Sequence, residues 1–161
     1  MKKVIINTCF GGYNWSNRAL LDYLDRANKK YSFWKTTGPD TYSHISREVF
    51  LAQDDCTEKT YVYGCHVRVN RKEFSGRMID REDPIAIKLL EEKGSEYCSG
   101  EHSELMVVEY DDSLYECYIT DYDGSEDLDL RPALDIDWLK SLTKGQIIEV
   151  LRDLRLTKER R

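Results

Sequence analysis

Residues 4–24 read VIINTCFGGYNWSNRALLDYL, and the change of character inside this stretch decides the fold. Val4 to Thr8 is a short apolar run with the composition of a buried strand. Gly11 and Gly12 interrupt it. Ser16 follows at a helix N-cap position, where a hydroxyl satisfies a first-turn amide that has no partner inside the helix. Leu20, Leu21, Leu24 and Ala27 then recur on one helical face. A strand, a glycine loop and a helix in succession predict a chain that mixes both kinds of element.

The rest of the chain continues in that sense. Tyr31 to Thr37 predicts a second strand, ended by Gly38-Pro39-Asp40 because proline lacks the ladder N–H. A short helix is expected over Ser46 to Ala52. The run YVYGCHVRVN, ending at Asn70, alternates: Val67 and Val69 fall on one side, His66, Arg68 and Asn70 on the other, the period of a half-solvated strand. Asp83-Pro84 starts a helix that Gly94 closes. Glu104 to Tyr110 and Leu114 to Tyr122 read as two strands that Asp111-Asp112-Ser113 would join as a hairpin, and Asp123-Gly124 forces a further turn. Thr143 and Gln146 have capping-box spacing ahead of Ile147, Ile148, Leu151 and Leu154, so the chain ends in an amphipathic helix. The expected fold class is α+β, a single globular domain over 1–161 with a mixed β-sheet and about three helices. Residues from about 128 onward form a C-terminal helical extension of it.

Charged residues make up 34% of the 161 and apolar residues 40%, with eleven tyrosines and three tryptophans. That is too aromatic for a disordered chain. A formal charge of −6 argues against general nucleic-acid binding, which rests on dense lysine and arginine, and leaves room for a local basic patch. No run approaches the ~20 apolar residues of a membrane span, and Met1-Lys2-Lys3 leads into a strand rather than a signal sequence, so no membrane partner and a cytoplasmic location are expected. The five cysteines contain no CxxC pair and read as reduced, mostly buried thiols, with no metal site and no cofactor. The acidic run DYDGSEDLD, residues 121–129, lacks the offsets of a calcium loop and reads as a solvated acidic turn.

Glycines between a strand and a helix let backbone amides converge on an anion. The loop has neither a Walker lysine nor the third glycine of a dinucleotide fingerprint, and a turn needing positive φ explains Gly11 and Gly12 equally well. Cys9 precedes a helix start, where a thiolate is favoured, but Trp15 stands six positions on, where a phosphatase loop has arginine. His66, Arg68, Arg71, Lys72, Arg77 and Arg81 concentrate positive charge over one strand and the loop after it, where arginine forks grip phosphates. Tyr13, Trp15, Phe33 and Trp34 add surfaces on which a base can stack. The residues expected to bind ligand are Cys9, Phe10, Gly11, Gly12, Tyr13, Trp15, Ser16, Arg18, His66, Arg68 and Arg71, with no catalytic set.

Taken together, INTCFGGYNWS, DREDP and DYDGSE resemble signatures of a family of small uncharacterised proteins of tailed phages and prophages, whose first strand runs into a Cys-Phe/Tyr-Gly-Gly-Phe-x-Leu-Ser loop. The resemblance covers Val4 to Ser16, Arg81 to Leu90 and Glu104 to Glu126; Trp15 replaces the family's leucine. It carries no activity but implies a phage or prophage origin, hence the cytoplasm of a host cell. The function expected on that basis is a non-enzymatic small-ligand-binding protein that sequesters an anionic, nucleotide-derived immune signal and so counters host defence. A homo-oligomer sharing a site between protomers suits that role. Two other readings are an inhibitor that binds a host defence protein directly, and a hydrolase acting on nucleotides through Cys9 or His66.

Overall fold

The computed structural model describes residues 1–39, 41–52, 65–132 and 140–158. Their elements run β1 (Lys2–Asn7), α1 (Asn17–Arg26), β2 (Tyr31–Gly38), β3 (Thr41–His44), α2 (Arg47–Leu51), β4 (Cys65–Val69), β5 (Lys72–Phe74), α3 (Pro84–Lys93), α4 (Ser95–Cys98), β6 (Leu105–Tyr110), β7 (Tyr115–Tyr122), β8 (Ser125–Pro132) and α5 (Lys144–Lys158). The fold is α+β, with three small sheets: β1 with β6, β3-β2-β4-β5 in that order, and β7 with β8. Among the described residues no helix is long and apolar enough to cross a membrane.

The chain divides into two compact units, one of residues 3–108 with 121–127, the other of 1–2, 109–120 and 128–161. In the first, α1 buries Leu20, Leu21 and Leu24 as its apolar face predicts. They join Ile5, Phe33, Phe50, Val67, Leu89 and Leu105 in one core. Phe33 and Val67 lie opposite each other on the inward face of the four-stranded sheet, and the Phe33 ring sits 5.2 Å from that of Phe50. The α3 start forms as expected, with Asp83 Oδ1 accepting from Ile85 N–H at 2.8 Å and Ala86 N–H at 3.2 Å; Asp83 Oδ2 also accepts from Tyr23 Oη at 3.0 Å. In the second unit, Thr143 N–H donates to Gln146 Oε1 at 2.9 Å while Gln146 N–H donates back to Thr143 Oγ1 at 3.4 Å, the predicted capping box at the start of α5.

The pairing of the later strands departs from expectation. The predicted hairpin of residues 104–122 does not form: β6 pairs with β1, and β7 pairs with β8. The β7–β8 connection is Asp123-Gly124, with φ of +53° and +89°, the two positive φ values of a turn whose twist suits a hairpin. That two-residue turn outcompetes the longer Asp111–Ser113 link. β3, β5, α4 and β8 have no counterpart among the predicted elements. The part of the Tyr61–Asn70 run before Cys65, and Cys56, lie outside the described residues. Of the four described cysteines, Cys98 is fully buried and Cys9, Cys65 and Cys117 are half-buried.

Three core groups are held protonated. Burial pushes Tyr13 and Tyr23 up to about 12 and Cys98 up to about 11. Above their ordinary values of 10.0 and 9.0, the folded chain keeps protons the unfolded chain has lost, so stability falls as pH rises. The urea midpoint is expected to drop between about pH 9 and pH 12, less steeply in Tyr13→Phe, as urea titrations at fixed pH will show. Asp83→Ala is expected to cost about 1–2 kcal/mol by the same measurement, through loss of the α3 cap.

Candidate functional site

Asn7 ends β1 with no exposed surface, and its polar atoms tie four segments together. Its backbone N–H donates to Glu126 Oε2 at 2.8 Å, and its Nδ2 donates to the carbonyls of Cys9 and, at 2.6 Å, Gly124. Its Oδ1 accepts from Glu104 N–H at 2.7 Å. Glu126, 3% exposed, is gripped by Arg81 as a fork, Nη1 to Oε2 and Nη2 to Oε1, each 2.6 Å. Arg81 also lies 3.9 Å from the centre of the Tyr13 ring, and Tyr13 Oη accepts from Trp15 Nε1 at 2.9 Å. INTCFGGYNWS, DREDP and DYDGSE therefore meet at one point. The acidic run makes the solvated turn expected of it except at Glu126. Asp121 and Asp123 are exposed, but Glu126 turns inward because a guanidinium and a backbone N–H supply the partners that a buried carboxylate needs.

This packing accounts for the glycines. A Cβ on Gly11 would stand 1.6 Å from the His102 carbonyl oxygen, and Gly12 has a φ of +81°. A Cβ on Gly124 would stand 2.5 Å from the Gly12 nitrogen. The loop backbone thus runs pressed between His102 and the β7–β8 tip, a path open only to residues without side chains. The start of α1 is closed as well. Ser16 Oγ accepts from Ala19 N–H at 3.2 Å and donates to the Tyr97 carbonyl at 2.7 Å, and Trp15, 3% exposed, bridges to Ser99.

Beside the loop lies a groove of about 470 Å³ whose walls include Phe10, Gly11, Gly12 and Tyr13. Its charged lining is Arg77, Arg81, Asp121, Asp123 and Glu126, three carboxylates against two guanidiniums. That balance opposes the anion expected at a glycine cradle. Cys9 is half-buried next to it in sequence, and Arg18 lies on the outer side of α1, 5.1 Å from the centre of the Tyr97 ring.

The basic residues that run together in sequence separate in space. Arg81 is committed to Glu126 and Arg77 to the groove wall. Arg71 sits with Asn70 in the tight β4–β5 turn, with φ of +66° and +52°. His66 and Arg68 stand on the four-stranded sheet. There the register sets Trp34 opposite both His44 and His66, Thr36 opposite Tyr42, and Ser32 opposite Arg68. Directly paired residues share a face, so these side chains stand together on the side away from Phe33 and Val67, and Glu73 of β5, opposite Arg68, joins them.

The face is a connected cluster of rings around one guanidinium. The Arg68 guanidinium lies 4.2 Å from the centre of the Tyr42 ring and 5.0 Å from that of Trp34. His66 meets Tyr42 edge-on at 5.7 Å, His44 meets Trp34 edge-on at 5.6 Å, and Trp34 Nε1 donates to Ser32 Oγ at 2.8 Å. Of the aromatics expected to stack a base, Tyr13, Trp15 and Phe33 are core and only Trp34 reaches this surface. Tyr42 and His44 were missed because they belong to β3, which follows a proline that reads as a strand end. Their alternation in Thr41-Tyr42-Ser43-His44 was the available signal.

Among the described residues no group of three or more histidines, cysteines, aspartates or glutamates could hold a metal ion. Compared with protein-family models, curated proteins and solved structures, the chain matches none.

Removing Arg81 strands the buried Glu126 carboxylate, and removing Glu126 strands the Arg81 guanidinium and the Asn7 N–H. Glu126→Ala is expected to lose about 3 kcal/mol in urea denaturation, and the pair Arg81→Met with Glu126→Leu markedly less than the sum of its single changes.

Proposed function

We propose that the protein is a non-enzymatic binder of a small nucleotide-like anion, and that the site is the Trp34–Tyr42–Arg68 face of the four-stranded sheet. The observation that carries this reading is how Arg68 is held. Its guanidinium is flanked by two rings, and among the described residues it enters no ion pair. A guanidinium binds rings through its flat faces and phosphates through the N–H donors in its plane. The ring contacts hold the guanidinium while no ion pair engages it among the described residues. Aromatic flanks give a base somewhere to stack, worth about 1–3 kcal/mol per base, and His44 adds further donor or acceptor capacity at the edge of the Trp34 ring.

The energies favour an incoming phosphate. Cation–π contacts of this kind contribute about 1 kcal/mol each, whereas a charge-assisted fork to an anion is roughly twice as strong as a neutral hydrogen bond and leaves the stacking in place. On the footing of the phage-protein resemblance, the proposed use of such binding is sequestration of a nucleotide-derived signal without turnover.

Calorimetric titration of the purified chain with mononucleotides, cyclic nucleotides and inorganic phosphate tests this. Nucleotides should bind well above phosphate alone, and Trp34→Ala or Arg68→Lys should weaken them about 10-fold, the equivalent of one lost stack. Absence of heat with every nucleotide, or affinity unchanged in both variants, overturns the reading.

A further inference from the structure

The tip of the β7–β8 hairpin is Asp123-Gly124, the dipeptide in which an aspartyl residue most readily turns into isoaspartate. In that reaction the Gly124 nitrogen gives up its proton and attacks Asp123 Cγ. A C–N bond forms, the carboxyl loses an oxygen as water, and a five-membered succinimide results. Water then opens the ring at the Asp123 main-chain carbonyl, so that the chain runs on through Cγ. One water leaves and one is taken up, and no other reagent is needed. Glycine favours the reaction because no side chain on its Cα obstructs the approach.

The fold treats the two reacting groups differently. Asp123 is exposed, and among the described residues its carboxyl enters no hydrogen bond or ion pair, so the group under attack is open to solvent. The attacking group is engaged: Gly124 N–H donates to Asp121 Oδ1 at 3.0 Å. A carboxylate that accepts from an N–H stabilises the protonated form and opposes the negative charge that loss of the proton would create. Gly124 is also held from its other side. Its carbonyl accepts from Asn7 Nδ2 at 2.6 Å, and a Cβ on it would stand 2.5 Å from the Gly12 nitrogen, which leaves the turn little room to rotate toward ring closure. We propose that Asp123-Gly124 is a latent isoaspartate site, and that the Asp121 carboxylate guards it by holding the nitrogen that would attack. What the guard protects lies close by. Isoaspartate lengthens the backbone by one methylene, which shifts Gly124 from Asn7 and, two residues on, Glu126 from Arg81.

Incubation of the purified full chain at neutral pH, followed by peptide mass spectrometry that separates aspartate from isoaspartate at Asp123, tests this. Asp121→Ala should isomerise about 5-fold faster than the wild type, the rate equivalent of one net hydrogen bond. Asp121→Asn, whose amide oxygen still accepts from Gly124 N–H, should fall between the two, and the wild-type chain unfolded in urea should be the fastest. Circular dichroism checks that both variants are folded. Equal rates in the wild type and Asp121→Ala, no difference between Asp121→Asn and Asp121→Ala, or a folded wild type that isomerises as fast as the unfolded chain overturns the proposal.

Discussion

A single buried carboxylate organises the region around the glycine loop. Glu126 lies 119 residues from Asn7 and 45 from Arg81, and takes hydrogen bonds from both. An ion removed from water is costly unless every lone pair it turns inward finds a donor. Here the end of β1, the approach to α3 and the tip of the β7–β8 hairpin must all be in place at once. The interaction's net worth is modest, because desolvation offsets most of the attraction. Its consequence is specificity of assembly: without one segment, the other two are left with an unsatisfied charge or amide.

The glycine loop is shaped by that assembly. Once Asn7 draws the carbonyls of Cys9 and Gly124 toward its amide, the loop and the hairpin tip are too close for a side chain at Gly124, while His102, the loop's other neighbour, leaves no room for one at Gly11. Close packing and anion binding make the same demand on composition, since both require glycine. They make opposite demands on charge. The carboxylates at the groove decide between them in favour of packing, and the cationic chemistry stands instead on the sheet, where Arg68 rests between rings.

How legible this was follows the range of each interaction. Local signals read true: the Ser16 and Asp83 caps, the Gly94 stop, the Thr143–Gln146 capping box and the Asp123-Gly124 turn each depend on residues within four positions of one another. The alternation around Val67 gave the right inward face. Pairing did not read, since whether β6 joins β1 or β7 depends on partners about a hundred residues apart, and no periodicity encodes that choice. The candidate site divided the same way. Arg68 and His66 were found because they alternate along a strand, whereas Tyr42 joins them across β2, through a register that one strand's own sequence does not contain. The run of basic residues from His66 to Arg81 looked like one patch only because sequence distance was taken for distance in space; Glu126, read as solvated, was what drew Arg81 away.

An acidic chain that presents a guanidinium on one sheet face involves no contradiction. Lys3 pairs with Glu91, Arg26 with Glu92, Arg47 with Asp25 and Arg131 with Asp129, so many surface cations are matched by nearby carboxylates. Arg68 is held by rings instead, with the Glu73 carboxylate directly opposite it across the β4–β5 pair as its nearest counter-charge by register. At physiological ionic strength the field of distant carboxylates decays over about 8 Å, so a ligand touching Arg68 responds mainly to its immediate neighbours. A long polyanion would extend past that range, over a surface whose charge sums to −6. For the ligand proposed above, the same electrostatics favour a compact anion over a nucleic acid strand.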